Sequence, residues 1–280
     1  MAAEPENRAG PPSTGGFARM AVDLAQCIRF YSRLPVPALP WEADPHGLPD
    51  FRRMTRVVPL AGLAIGLGPA LLLAAALGLE LGPWLSSVIA IGALTLITGA
   101  FHEDGLADTA DGFGGGATPE RRLEIMKDSL IGSFGASALI VVFALRIGAL
   151  ATLADRLDPL DAAMVVIVAA IVSRTAGLLP LTMLPPARHD GASYAVGQPT
   201  RQTLWFSAAF ATLLALVLGT SSAWPLEGTL LMVVLPALVG GALSRLSSRL
   251  IGGQTGDVAG AVQQIGEAAA MIGLLITIAP

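Results

Sequence analysis

Apolar residues run through this chain in long blocks, and polar residues collect between them. The blocks cover residues 57–79, 83–101, 131–153, 161–184, 203–219, 229–246 and 261–279. A hydrocarbon core of roughly 30 Å takes about 20 helical residues per crossing, so the pattern predicts about seven transmembrane helices in an all-α, polytopic bundle. Ahead of the first block the pattern changes. Phe17, Met20, Leu24, Cys27, Ile28 and Tyr31 recur at helical spacing, with Arg19, Asp23 and Arg29 on other faces. That is the signature of an amphipathic helix at the interface or against the bundle, and Pro35 and Pro37 end it. Residues 1–16 carry several Pro, Gly and Ala and predict a short disordered tail. Residues 17–280 then form one integral membrane domain, without an internal repeat or a soluble module.

Composition supports this class. Charged residues are 14% and apolar residues 53% of the chain, with a mean hydropathy of +0.66. Soluble domains carry about 25% charged residues, so this chain has too few to cover a soluble surface. A net charge of −4 argues against a nucleic-acid partner, which wants a basic face. Cys27 is alone and can form no internal disulfide. The basic residues also give a direction. With the N-terminus in the cytoplasm, fourteen of the 17 fall on the inner side; Arg156 alone is outside, and Arg146 and Arg174 lie within spans. Positive residues collect on the cytoplasmic side, so the expectation is N-in.

The densest chemistry lies in the acidic, glycine-rich stretch from Phe101 to Gly116, expected as a loop at the membrane surface. Asp104, Asp108 and Asp111 stand at i, i+4 and i+7; on a helix continuing from the second span they share one face. Like charges stacked in that way repel, and a divalent cation turns the arrangement favourable. Hard oxygen donors without a Cys or His cluster point to Mg²⁺, or Mn²⁺ in its place, rather than zinc. Gly112, Gly114, Gly115 and Gly116 suit a tight turn whose N–H groups hold phosphate oxygens. The next helix, opening at Thr118-Pro119, brings Arg122 and Lys127 as phosphate partners, with Glu124 and Asp128 at i, i+4.

Two other places stand out. Gly252-Gly253-Gln254-Thr255-Gly256-Asp257 falls on the same side as the acidic stretch, and Asp257 there could complete a metal site or contact substrate. Arg174 lies near the middle of a span, where an unpaired charge is costly, and calls for a carboxylate or a bound phosphate. Glu267 and Arg146 pose the same question more weakly, and Arg188-His189-Asp190-Gly191 reads first as a solvated hairpin. Taken together, a carboxylate cluster beside phosphate-friendly glycines points to phosphoryl or phosphodiester transfer, without naming a substrate.

Four ordered motifs carry a resemblance. Phe30-Tyr31-Ser32-Arg33-Leu34-Pro35-Val36-Pro37, the run from His102 to Gly112, the run from Arg122 to Ser129 with Ile131-Gly132 and Gly135, and Thr255-Gly256-Asp257-Val258-Ala259-Gly260-Ala261 resemble the cobalamin synthase (adenosylcobinamide-GDP ribazoletransferase) family from about residue 21 to the end. The resemblance implies a Mg²⁺-dependent enzyme of the bacterial inner membrane, its active site facing the cytoplasm. Such enzymes join adenosylcobinamide-GDP to α-ribazole or its 5′-phosphate and release GMP. It implies Glu103, Asp104, Asp108 and Asp111 as the catalytic metal-holding set on the pyrophosphate. Arg33, Gly112, Arg122, Lys127, Asp128, Arg174 and Asp257 would contact substrate, and self-association or contact with other cobalamin-assembly enzymes is compatible with it. The CDP-alcohol phosphotransferases are the alternative enzyme class. Their D-G-x-x-A-R start is broken here by Asp108 in place of arginine, and Ala117 stands where the later glycine belongs. A transporter is the alternative outside enzymes, but its carboxylates would sit mid-membrane in paired repeats.

Overall fold

The computed structural model describes residues 15–279 except 46, 189, 191 and 223, and of 192 and 193 the backbone only. Among the described residues the chain is helical throughout, in the order α1 (Gly16–Tyr31), α2 (Phe51–Met54), a 3-10 turn (Thr55–Val57), α3 (Val58–Gly78), α4 (Pro83–Thr98), α5 (Phe101–Gly115), α6 (Pro119–Ile125), α7 (Ser133–Arg156), α8 (Pro159–Ala176), α9 (Leu178–Met183), α10 (Ala192–Ala195), α11 (Arg201–Ser221), α12 (Leu226–Ile251) and α13 (Gly256–Leu275). Six helical stretches are long and apolar enough to cross a membrane, seven if α4 and α5 count as one bent span. The tail expected over residues 1–16 lies outside the described residues as far as residue 14; Gly15 precedes α1 and Gly16 opens it.

The core is organised around α8. Its most apolar window is 89% buried inside the protein, against 28% for α7, so α8 is the central post and α7 faces lipid. Lipid tails supply no hydrophobic drive between helices, and close backbone approach takes its place. Gly62 and Gly66 provide it on α3: a Cβ on Gly62 would lie 2.8 Å from the Ala170 carbonyl oxygen and 2.9 Å from Ile171 Cα. The amphipathic helix α1 packs on the bundle. Cys27 and Tyr31 join Phe51, Met54 and Val58 in one apolar cluster, while Phe17 stays exposed.

The expected second span and acidic loop need correction. The chain turns by 88° between α4 and α5, through Gly99 (φ 66°) and Ala100 (φ 57°), both left-handed. The acidic stretch is therefore a helix of its own, neither a loop nor a continuation of the second span. Gly99 is required there: a Cβ would fall 2.2 Å from Nε of Arg33, whose side chain lies over the bend. The start of α5 sits beside the middle of α7, where Glu103 meets Arg146. Its last turns meet the beginning of α7, where Asp111 meets Gly132 and Gly135. Helix α5 thus climbs back along α7 to the bundle end. At Gly105 it is level with Asp257 at the start of α13, which the 185–188 connection also reaches through Arg188.

Candidate active site

Successive residues of a helix differ by about 100° in direction, and on α5 that step separates two environments. Glu103 is buried and Asp104 is exposed. Asp108, one turn on from Asp104, is half-buried. Helix α13 brings a third carboxylate to the same place. Thr255 caps its N-terminus by accepting from the Val258 N–H, and Asp257 stands in its first turn. Gly105 makes the approach possible, since a Cβ there would lie 2.9 Å from the Asp257 carbonyl oxygen and 3.0 Å from its Cα.

A cation arrives from a third segment. The Ala187 N–H donates to the Gln254 carbonyl (2.8 Å) and the Gln254 N–H to the Pro185 carbonyl (2.9 Å), pinning the 185–187 segment to the turn before α13. Arg188 follows directly, and its Nη2 donates to Asp257 Oδ2 at 3.1 Å. Its Nε and Nη1 have no partner among the described residues. The half-buried carboxyl of Asp108 is crowded by the charges of Asp104, Asp257 and Asp111, with Arg188 opposing. Among the described residues no three carboxylate, imidazole or thiol groups converge into a ready metal cage. Mg²⁺ does not require one, because it keeps several waters and takes one or two carboxylates plus substrate phosphates. Asp104 and Asp108, all oxygen and mutually repelling, with Asp257 beside them, fit such an ion.

The four-carboxylate set expected from the sequence is not brought together. Glu103 Oε1 accepts from Thr95 Oγ1 (3.0 Å) and Arg146 Nη1 (3.2 Å) inside the bundle. Both oxygens of Asp111 are taken by the N–H groups of Gly132 (2.7 Å) and Gly135 (2.8 Å), so Asp111 caps α7. The glycine turn also reads differently. Residues 112–115 are helical, and these glycines admit neighbours rather than phosphate: a Cβ on Gly112 would meet Met126 Cγ at 2.4 Å, and one on Gly114 the Phe134 ring at 2.7 Å. Arg122 donates to the Leu250 carbonyl at 3.0 Å, Lys127 pairs with Asp190, and Asp128 accepts from the Leu130 N–H at 3.1 Å. These three organise the loops beside the carboxylates.

Arg33 is placed differently. It is exposed and lines an open cleft of about 500 Å³ whose opposite wall carries Asp104. Arg174 lies deeper, on α8, facing a small cavity behind the cleft. Two arginines were undervalued in the sequence. In the sequence Arg188 belongs to a polar turn that resembles a solvated hairpin, and its one signal is that this turn falls on the same side as Asp257. Arg146 proves to be the hub of the buried network. Its Nε and Nη2 donate to Glu267 Oε1 (2.9 and 2.6 Å) and its Nη1 to Gln264 Oε1 (2.7 Å).

Comparison with known proteins identifies the family. Residues 23–275 match the family model described as cobalamin-5-phosphate synthase. A relative named adenosylcobinamide-GDP ribazoletransferase, from Azorhizobium caulinodans, is 51% identical over 263 residues, covering 94% of this chain and 98% of its own. Proteins of the same name from Xanthobacter autotrophicus (46% identical, 92% and 97% covered) and a Sinorhizobium species (41%, 91% and 97%) are also similar. No solved structure matches. With a family model spanning most of its length and relatives this similar over nearly all of theirs, the chain belongs to the cobalamin-5-phosphate synthase family.

Proposed function

We propose that this protein is a Mg²⁺-dependent adenosylcobinamide-GDP ribazoletransferase. The observation that carries the reading is the meeting of Asp104, Asp108, Asp257 and Arg188, from three distant segments, beside the Arg33 cleft. The acceptor is α-ribazole or its 5′-phosphate. Its 3′-hydroxyl oxygen forms a bond to the phosphorus that carries cobinamide, the pyrophosphate bridge breaks, and GMP leaves with the bridging oxygen. Asp104 and Asp108 would hold the ion, which when bound would supply charge neutralisation to the pyrophosphate and the leaving phosphate. Arg33 and the two free donors of Arg188 face the same phosphates, and Asp257 keeps Arg188 in place. A carboxylate of this face takes the hydroxyl proton. The Arg146 network acts behind them by fixing the start of α5.

The test is direct. Purified protein with Mg²⁺ is expected to turn adenosylcobinamide-GDP and α-ribazole, or its phosphate, into a cobamide and GMP. Turnover of CDP-diacylglycerol with an alcohol acceptor, and none of the corrinoid, would reverse the assignment. We place the protein in the bacterial inner membrane with this site in the cytoplasm, on the strength of the basic-residue asymmetry. A reporter inserted after Gly116 that reads as periplasmic would refute that orientation.

A further inference from the structure

Arg174 is 3% exposed, and only one of its three nitrogens is satisfied: Nη1 donates to the Ala170 carbonyl at 3.1 Å. Nε and Nη2 have no partner. Of the nearby carboxylates, Glu267 is fully engaged and Glu103 bonds Arg146 through Oε1, while Glu103 Oε2 has no partner among the described residues and makes no bond to Arg174. A buried guanidinium left in this state is costly. The two idle nitrogens are also the pair whose N–H bonds point along one edge of the guanidinium, the fork that grips two oxygens of one phosphate or carboxylate.

Arg174 lines a cavity of about 50 Å³, large enough for a few waters or one oxyanion headgroup by the usual volume of roughly 10–15 Å³ per water site, and its two idle nitrogens lie enclosed beside it. Gly256, the first residue of α13, lines it and adds the positive end of a 20-residue helix. His102 lines it as well, stacked on Tyr31 with ring centroids 5.7 Å apart, and its Nδ1 is likewise without a partner. Phe30 and Phe101 border both this cavity and the Arg33–Asp104 cleft. The two rings stand edge-to-face with centroids 5.6 Å apart, so a substrate in the cleft reaches Arg174 only when they part.

We infer that Arg174, with the start of α13 and His102, forms a phosphoryl-oxyanion subsite behind the reaction cleft, seating a phosphate of the substrate that is not the one attacked. The inference rests on the transferase reading for the identity of its ligand. Two phosphates could supply the chemistry, a 5′-phosphate on the acceptor nucleoside or the nucleoside end of the donor, and the experiment separates them.

The measurement is equilibrium binding to the full-length protein in detergent, without Mg²⁺ and without turnover, for two ligand pairs: acceptor nucleoside with and without its 5′-phosphate, and guanosine against GDP. In the wild type, one pair is expected to show about tenfold or greater preference for the phosphorylated member, the size of a charge-assisted hydrogen bond. Arg174→Met retains an apolar stem in place of the unsatisfied charge, so it is expected to fold with an unchanged or higher Tm and to bring that ratio to about one. Arg174→Lys, which keeps the charge and loses the fork, is expected to fall between. The pair that loses its preference identifies the source. No preference in either wild-type pair, or an undiminished ratio in folded Arg174→Met, overturns the subsite. Absence of turnover with retained, Arg174-dependent preference would instead count against the proposed reaction alone.

Discussion

On its inner side, α5 hands Glu103 to a buried network in which Arg146 bonds Glu103, Gln264 and Glu267, and Gln263 bonds Glu267 and Ser173. On its outer side the next residue, Asp104, faces open space with Asp108 and Asp257 as like-charged neighbours. The first region is closed and paired through Arg146, with Glu103 Oε2 left over. The second is open, repelling and left short of positive charge by its own protein. Charged groups that serve the fold are paired within it, because an unpaired charge there is unaffordable. Groups that serve chemistry keep their vacancies for a ligand. Arg174 is the informative mixture, as deeply buried as the first set and as unsatisfied as the second.

The sharpest way to break this comparison is to remove the hub of the closed region. Arg146→Met strands Glu267 and Glu103 without their cation, and is expected to cost about 3–5 kcal/mol, read as a lower midpoint in SDS or thermal unfolding. A change below about 1 kcal/mol would mean that the network is ornamental. The open region should respond in the other currency. Asp108→Asn is expected to lower kcat by about 10²–10³ while leaving stability within about 0.5 kcal/mol of wild type, because it relieves repulsion instead of removing a partner. A destabilised but fully active Asp108→Asn protein would exchange the roles of the two regions. The smallest effect is expected at their border. Asp111→Ala should cost about 0.5–2 kcal/mol through loss of the α7 cap, and Asp111→Asn, which keeps an acceptor oxygen, less. If Asp111→Asn instead abolishes turnover in a stable protein, Asp111 belongs with the metal-holding carboxylates.

Six of the seven expected crossings were legible in the chain because lipid demands an uninterrupted apolar run, the second being the bent α4–α5 pair, and boundaries such as Pro159–Met183 differ from the expected 161–184 by a residue or two. The last helix begins five residues earlier than expected, which carries Glu267 well inside it. Asp104 and Asp108 could be found from their spacing alone. What could not be read depends on contacts between distant residues. Glycine at 112 and 114 looks the same in sequence whether it cradles a phosphate or admits Met126 and Phe134. Asp111 differs in no local respect from Asp108, yet α7 claims both its oxygens. Arg188 acquires meaning only when the Pro185–Ala187 segment pairs with Gln254, and the 88° turn rests on Ala100, a residue with no ordinary preference for a left-handed backbone.

Helix α13 supplies both regions at once: Asp257 to the open one, Gln263, Gln264 and Glu267 to the closed one. This sets an order on biogenesis. While the earlier spans are entering the bilayer, Arg146 has no Glu267 to meet, and the acidic face of α5 has neither Asp257 nor the turn that holds Arg188. A nascent chain halted before residue 256 would thus leave Arg146 with Glu103 as its one carboxylate partner and the site without Asp257. Such a fragment is a natural mark for membrane quality control, and completing the last span both removes that mark and switches on the enzyme.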